Sequence, residues 1–519
     1  MKLKEALKKF SHLKKLGLTD LVIERLANHL GKLLVGSKEV YLTPLAKKAI
    51  PIEVYVDWSD ILHANKHKMN SDLLELEDAN ESKFGPRSKS QPWHERVASL
   101  SASYSCQDEN HIPRFHHSPG DGTNCCVSLN EAVQKAKLNT SSGLPFLTKK
   151  AKALVETVEN FNKLLDRRDP GMVYTRTAEK GKTRNTIGYP FVDTLLEAMF
   201  YIPYLEVERL LYYRAALVSP HLVAQRMTEI IQSAIATDRI IYSVDFKGFD
   251  ASVLYQYIIL AFEDIKSCFA PSFHEYIDYI CERMYTIELV TPGRVFRGKH
   301  GIPSGSGWTN AIDSKIQIGI ALLNSFISEL ECQVQGDDGV YIMLKEQIEQ
   351  FVSTFTYAGL KLEKSKSKIS TNCAVFCQQL YHIDYIDEEG VINGIYPTWR
   401  AINRLLYMER FVNFKSLGLQ GKDYFGIRSL TILENCRYHP LFEELVRYVL
   451  SKEKFSMDVS NDGLERYCEL CNIDPSGYSR VNQQYGSSVV GIRDFESYKL
   501  IQKILAEEAM EETSYDCVD

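Results

Sequence analysis

Cys332-Gln-Val-Gln335-Gly336-Asp337-Asp338-Gly339-Val340-Tyr-Ile-Met343 decides how this chain folds. Apolar residues through Cys332-Gln-Val334 and again through Val340-Tyr-Ile-Met343 predict two strands, and Gly336-Asp-Asp-Gly339 predicts a tight turn between them. Two carboxylates then stand at the tip. Alone, this is also an ordinary hairpin, because Asp and Gly are favoured turn residues. A second strand candidate, Ile240-Ile-Tyr-Ser-Val244, ends at Asp245. If the two strands are neighbours in one sheet, Asp245 meets Asp337 and Asp338. Convergent carboxylates are what phosphodiester synthesis needs when it uses a pair of divalent ions about 3.5–4 Å apart. Mg²⁺ keeps several phosphate or water oxygens, so two or three aspartates suffice. The residues supply the acids and their mounts, and leave the adjacency to the fold.

Outward from that hairpin, 519 residues predict two or three sub-domains sharing an extended core. With 45% apolar and 25% charged residues the composition is that of a globular protein. A net charge of −6 argues against a simple RNA-coating protein, which gains affinity by neutralising phosphates. An enzyme with an internal basic channel escapes that objection. The first fifty residues carry eleven Lys/Arg against four Asp/Glu, whereas Glu507–Asp519 holds six acids and no base. Leu3, Leu7 and Phe10 sit at helical spacing among lysines, without the apolar run of a signal peptide. No stretch of some ~18 apolar residues suggests membrane insertion, and the expected location is cytosolic or inside a particle.

Twelve cysteines without framework spacing suit a reducing compartment. Cys468-Glu-Leu-Cys471 is a lone pair, and Cys106, His111, His116, His117, Cys125 and Cys126 form a loop cluster that stays unassigned as a zinc site. The stretch from Asp78 to Gly122 reads as irregular, Pro190 to Leu217 as helical, and the chain after Tyr385 as mainly helical.

Further motifs stand in a fixed order. Ser243-Val-Asp245-Phe-Lys-Gly-Phe-Asp250 places a second acid five residues after the first; Gly301-Ile-Pro-Ser304-Gly305-Ser306-Gly307-Trp308-Thr309-Asn310 is a small-residue loop opening a helix; Tyr357-Ala-Gly359-Leu-Lys-Leu-Glu-Lys-Ser-Lys366 is lysine-rich. Upstream lie Glu179-Lys180-Gly181-Lys182-Thr183-Arg184 and Ser141-Ser142-Gly143-Leu-Pro145. From about residue 139 to 383 this series resembles the viral RNA-dependent RNA polymerases. Among them it is most similar to the small double-stranded RNA virus enzymes, picobirnavirus first and partitivirus next, with a picornavirus-like enzyme third.

The resemblance implies an α+β right-hand fold of fingers, palm and thumb, with an antiparallel palm sheet backed by helices. Its expected divisions are an N-terminal extension over 1–85 bridging fingers and thumb, fingers over 86–238 and 264–300, palm over 239–263 and 301–384, and thumb and tail over 385–519. It makes Asp245, Asp337 and Asp338 ligands of two Mg²⁺ or Mn²⁺ ions, and Lys366 the general acid, with Lys364 and Lys368 as rivals. Asp250 would accept the incoming 2′-hydroxyl, as a carboxylate can. Ser304 and Thr309 match the family's loop residues, and its ribose-side asparagine falls at Asp313 while this chain has Asn310, so both remain candidates. Arg176, Lys180, Lys182 and Arg184 would hold triphosphate oxygens. Ser142, Gly143, Pro145 and Gly305 would track the template. Val375-Phe-Cys-Gln-Gln-Leu380 falls where a primer-gripping hairpin is expected. RNA template, nascent RNA and NTPs are the implied partners, with a viral capsid protein as a further one and the virion interior and host cytoplasm as the implied locations. A reverse transcriptase and a non-enzymatic RNA-binding or coat protein are the competing readings.

Overall fold

The computed structural model describes residues 1–105, 114–115, 120–455, 457–471 and 491–515. The Cys106, His111, His116 and His117 positions lie outside the described residues. The central element is a four-stranded antiparallel sheet: β1 (Ile240–Val244), β2 (Cys332–Gln335), β3 (Asp338–Met343) and β4 (Lys368–Ser370), in the order β2-β3-β1-β4. All five residues of β1 are buried, which is why this central strand is an unbroken apolar and β-branched run with a single serine. Side chains alternate across it. Tyr242, Val244, Tyr341 and Met343 enter one core, with α1 (Thr309–Ala321) and α2 (Ile348–Tyr357), while Ile241, Val340 and Ile342 enter another beneath the helix Pro220–Ala236.

The turn is tighter than the sequence suggests. Gln335 pairs with Asp338, so β3 begins at Asp338 and only Gly336 and Asp337 turn the chain. Gly336 has φ +66°, a conformation that favours glycine, and its N–H donates to Ser314 Oγ at 2.7 Å.

A second sheet joins Thr183–Gly188, Gly171–Thr177, Leu289–Val290 and Val295–Phe296 in that order. The helices Leu3–Lys9, Asp20–Val35 and Trp93–Ser105 close over it in one core. Trp93–Ser105 corrects the expectation of irregular structure across Asp78–Gly122; Trp93, Arg96, Leu100 and Ser103 are its buried face at helical spacing. The 264–300 segment divides: its strands join this sheet, whereas Ile277, Ile280 and Met284 of the helix His274–Thr286 enter the central core.

The N-terminal 85 residues touch two bodies. Their first two helices pack on the second sheet; Tyr41–Leu42 then pairs with Tyr407–Met408, and Trp58, Leu62 and Leu73 share a core with the helices Thr398–Leu406, Gly421–Glu434 and Phe442–Lys452. Glu77 fastens this contact. Fully buried, it accepts hydrogen bonds from Thr398 N (2.6 Å), Thr398 Oγ1 (2.9 Å) and Trp399 N (3.3 Å), and His439 Nε2 lies 3.0 Å away. A carboxylate at a helix N-terminus satisfies the unpaired amides there and meets the positive end of the dipole. The acidic stretch from Glu507 is not loose at its start: Glu507 pairs with Arg447 at 3.1 Å on the helix Glu496–Tyr515. Among the described residues no helix is long and apolar enough to cross a membrane.

Removing one member of a buried charged cluster costs about 3 kcal/mol or more. Glu77→Ala is therefore expected to lower the thermal midpoint by about 3 °C in calorimetry. A midpoint within about 1 °C of the parent's would show that Glu77 does not hold the extension to the C-terminal helices.

Candidate active site

Register does the first work. Val244 pairs with Gly339 across β1 and β3, so Asp245 leaves its strand beside the turn that carries Asp337 and Asp338. Asp337 is exposed at the tip and Asp338 half-buried on β3. Burial raises the Asp338 carboxyl to about 7, with Asp337 and Asp245 adding to the rise and Arg400 opposing it. Asp245 is also raised, by burial first; Lys366 opposes this and Asp337 reinforces it. Asp250 is raised to about 6 by burial and then by Asp337. Four acids feel one another across one cleft.

The cleft rests on buried supports. Arg214, fully buried, donates to Val334 O (3.0 Å), Gln335 Oε1 (3.0 Å) and Asn310 Oδ1 (2.9 Å), and also reaches Ser314 Oγ. The Gln317 amide, oriented with its nitrogen toward the turn, donates to Gly336 O at 2.8 Å. Helix α1 thus buttresses the turn through Ser314 and Gln317. Nothing local in the sequence marked Arg214, which acts through atoms more than ninety residues away.

Asp313 and Asn310 separate. Asn310 is taken up by Arg214, while Asp313 is buried on α1 with Oδ1 lacking a hydrogen-bond partner, pushed well up by burial and then by Asp250 and Asp337. Its carboxyl is thus coupled to two acids of the cleft.

Several sequence-marked residues are occupied otherwise. Ser142 is buried and its hydroxyl accepts from Thr148 N (3.1 Å), so its side chain is turned away from solvent; Ser141 beside it is exposed. Gly143, at φ +62°, leaves no room for a Cβ, which would stand 2.4 Å from Tyr189 O, and Pro145 is half-buried. A Cβ on Gly305 would stand 1.7 Å from Ile187 O, so this glycine serves contact with the strand Thr183–Gly188. Thr309 Oγ1 donates within its own loop, to Pro303 O and Ser306 O at 3.0 Å each. Ser304 remains half-exposed, with Oγ 3.4 Å from Asn185 O.

Among the lysines, Lys366 Nζ lies 3.8 Å from Asp245 Oδ1. Lys368 is held by Asp72 (2.8 Å) and Glu75 (2.6 Å) of the N-terminal extension, and Lys364 lines a cavity behind β1 with Tyr357. Arg176, Lys180, Lys182 and Arg184 are all exposed, with Arg176 opposite Arg184 across two strands and its Nε 3.9 Å from Glu409. Burial lowers Lys182, and Arg184 and Lys366 lower it further while Asp245 opposes them. Lys83 and Arg400 were missed by sequence reasoning. Residues 83–87 run between the basic turn and the helix Thr398–Leu406: Gly85 N donates to Asn403 Oδ1 (2.9 Å), Gly181 N to Pro86 O (3.3 Å), and Arg87 Nε lies 3.8 Å from Glu179. Lys83-Phe-Gly-Pro-Arg87 repeats the Gly-flanked basic pattern of 180–184, which was the available signal.

The donor set of Asp245, Asp337 and Asp338 is all carboxylate oxygen; Asp337 raises the proton affinity of the other two and Asp245 that of Asp338, so it fits hard divalent cations. A different cluster is tighter: ligand atoms of Asp72, Cys373 and His382 lie within 4.8 Å of one another. There the Lys368 ammonium already meets Asp72, and His382 Nδ1 accepts the Asp384 N–H (3.0 Å), leaving the protonated Nε2 to face Asp72 (3.3 Å). The cation at that place is Lys368. Beside it, Cys373–Phe376 and Gln379–His382 form the expected hairpin.

With the cleft in place, comparison with known proteins decides the family. The sequence profile described as viral RNA-dependent RNA polymerase matches residues 126–383. The chain belongs to the viral RNA-dependent RNA polymerases. It is 26% identical over 463 residues to the "Potential RNA-dependent RNA polymerase" of human picobirnavirus (strain Human/Thailand/Hy005102/-), covering 82% of this chain and 85% of that one. In fold it is similar to the crystal structure of the RNA-dependent RNA polymerase of a human picobirnavirus, with a TM-score of 0.76 at 21% identity, covering 92% of this chain and 96% of the other. An insertion-loop deletion mutant of such an enzyme gives 0.74 at 22% identity, covering 93% and 96%. The right-hand α+β fold follows from these matches.

The raised carboxyls of this polymerase set a pH dependence. Their folded affinities for protons exceed the unfolded value near 3.8, so the cation-free protein holds this stabilisation at low pH and loses it as pH rises through about 6 to 7. A divalent cation, here millimolar Mn²⁺, would take the deprotonated forms. It is expected to raise the thermal midpoint more at pH 8 than at pH 5.5, as read by differential scanning fluorimetry. Equal shifts at both pH values would contradict this electrostatic account.

Proposed function

We propose that this RNA-directed RNA polymerase extends RNA by two-metal nucleotidyl transfer, with Asp245 and Asp337 as principal ligands and Asp338 assisting. The observation that carries the reading is the β1–β3 register, which sets Asp245 beside the Asp337-Asp338 turn. Bound Mg²⁺ or Mn²⁺ supplies activation of the 3′-hydroxyl and neutralisation of the triphosphate.

The protein's own groups do the rest. Lys182 and Arg184 hold the triphosphate from one side, and Lys83 and Arg400 add positive charge from the N-terminal extension and the helix Thr398–Leu406. Asp250 accepts a hydrogen bond from the ribose 2′-hydroxyl, which deoxyribose lacks, and Asp313 with its unpaired Oδ1 supports that side of the cleft. Lys366 delivers a proton to the departing pyrophosphate; its place 3.8 Å from Asp245, and the capture of Lys368 by Asp72 and Glu75, support this choice. Ser141 is the exposed member of the serine pair beside the template path. We assign fingers to 86–238 and 264–300, palm to 239–263 and 301–384, thumb to 385–519, and the bridging extension to 1–85. The likeness to picobirnavirus enzymes supports a double-stranded RNA genome as template source, work in the virion interior and host cytoplasm, and a capsid protein as partner.

Primer extension on a defined RNA template with NTPs and Mg²⁺ or Mn²⁺ tests this reading. Asp337→Asn is expected to abolish incorporation while RNA affinity stays within about twofold of the parent's, because the tip carboxylate serves cation binding. Retained incorporation would remove Asp337 from the mechanism.

Lysine roles separate in rapid-quench kinetics. Lys366→Ala should lower kcat about 10²-fold, the usual worth of a positioned general acid, whereas Lys368→Ala should leave kcat near the parent's. The reverse order would transfer the proton-donating role to Lys368.

A further inference from the structure

Glu197 belongs to none of the polymerase motifs, yet it grips one of them. It sits on the helix Phe191–Glu208, 4% exposed. Oε1 accepts the Ser306 hydroxyl at 2.6 Å and Oε2 accepts the Gly307 N–H at 2.8 Å. Ser306 Oγ in turn accepts the Trp308 N–H at 3.1 Å. Helix α1 starts at the next residue and has no side-chain cap of its own. The carboxylate therefore stands just ahead of α1: it takes the Gly307 N–H itself, supports through Ser306 Oγ the bond to the Trp308 N–H, and meets the positive end of the dipole.

The loop is pinned at its other end too. Ile302 N donates to Asp250 O at 2.8 Å, and a Cβ on Gly301 would stand 2.3 Å from that same oxygen. Between these pins lie exposed Gly305 and half-exposed Ser304, and past them α1 carries Asn310, Asp313 and Ser314 into the cleft. Glu197 is thus the one charged side chain seen bonding directly to the loop among the described residues.

We propose that Glu197 is a positioning residue of the polymerase: an anionic latch that sets the 304–308 loop and the start of α1, and through them Ser304 and Asp313, relative to Asp250. The inference rests on the polymerase reading of the cleft. The latch needs its negative charge, and the surroundings oppose that charge. Burial raises Glu197 to about 7; Asp193 adds to the rise, and the two loop hydrogen bonds and Arg283 oppose it. Arg283 is already engaged by Asp193, at 2.9 Å. Lys150, at the start of the helix Lys150–Glu159, and the buried Tyr189 also face it electrostatically. Among the described residues no cation pairs with it directly.

Ionised Glu197 therefore favours a set loop at a cost to folding. A carboxyl raised from 4.5 to about 7 contributes stability that is present below 4.5 and is lost as pH rises through about 7. A residue that merely holds the fold together predicts the opposite consequence for its neutral variant.

The test compares parent, Glu197→Gln and Glu197→Asp enzymes in single-nucleotide extension on a primed RNA template, with thermal midpoints at pH 6 and pH 8. Glu197→Gln is expected to lower kcat about tenfold at pH 8, since misplacing a site by a fraction of an ångström costs that much, with RNA affinity unchanged. Its midpoint at pH 8 should equal or exceed the parent's, and the parent's kcat should fall between pH 8 and pH 6 more steeply than the variant's. Glu197→Asp, which keeps the charge, should recover part of kcat. The proposal is overturned if Glu197→Gln retains parental kcat and pH profile, or if its kcat falls only in step with a lowered midpoint. A parent enzyme that fails to extend the primer would instead strike the polymerase reading beneath it.

Discussion

Pairing of β1 with β3 is the constraint on which everything else in this molecule depends. A strand's side chains alternate with a period of two, so a slip of one residue would turn Tyr242 and Val244 out of their core and aim Asp245 elsewhere. Burial on both faces forbids the slip. Tyr242 and Val244 belong to one apolar cluster and Ile241 to another, and the partner strand divides its residues in the same way. Hydrophobic packing, acting on residues that never touch substrate, thereby places three carboxylates that would otherwise repel one another. Burial first and the neighbouring carboxylates next raise the proton affinities of Asp245, Asp250 and Asp338, an arrangement that bound cations would relieve.

Around that sheet the supports follow one pattern: a buried polar group reaches from a neighbouring element and fixes a backbone atom of the cleft. Arg214 holds the end of β2, Gln317 and Ser314 hold the Gly336 turn, and Glu197 holds the loop before α1. Buried charges of this kind are costly when unpaired, and they specify one geometry when satisfied. Glu77 does the same work at a distance, tying the N-terminal extension to the helix that carries Arg400.

What could be read from the chain divides along the same line. Asp245, Asp250, Asp337 and the turn glycine were legible because strand, turn and acid lie within a few residues of one another. The β2–β3 turn came out tighter than expected because Asp338 already pairs with Gln335, a matter of register. The resemblance names Ser142, and sequence spacing cannot say which of two adjacent serines faces inward; here it is the Ser142 hydroxyl, which accepts the Thr148 N–H. The resemblance marks Gly305 for the template, and the spacing of residues is silent on the second thing its missing Cβ permits, the approach to Ile187 O. Arg214, Glu197 and Arg400 have no local signature, since each acts on residues far along the chain. The helix Trp93–Ser105 was obscured by its serines, although its apolar spacing was present.

Metal-ion placement tests the central claim most directly. In Mn²⁺-soaked crystals, anomalous scattering should show two peaks about 3.5–4 Å apart, bracketed by the carboxylates of Asp245 and Asp337. Peaks at Asp72 and His382 with none at the β1–β3 junction, or a single ion that leaves Asp245 uncontacted, would contradict the account.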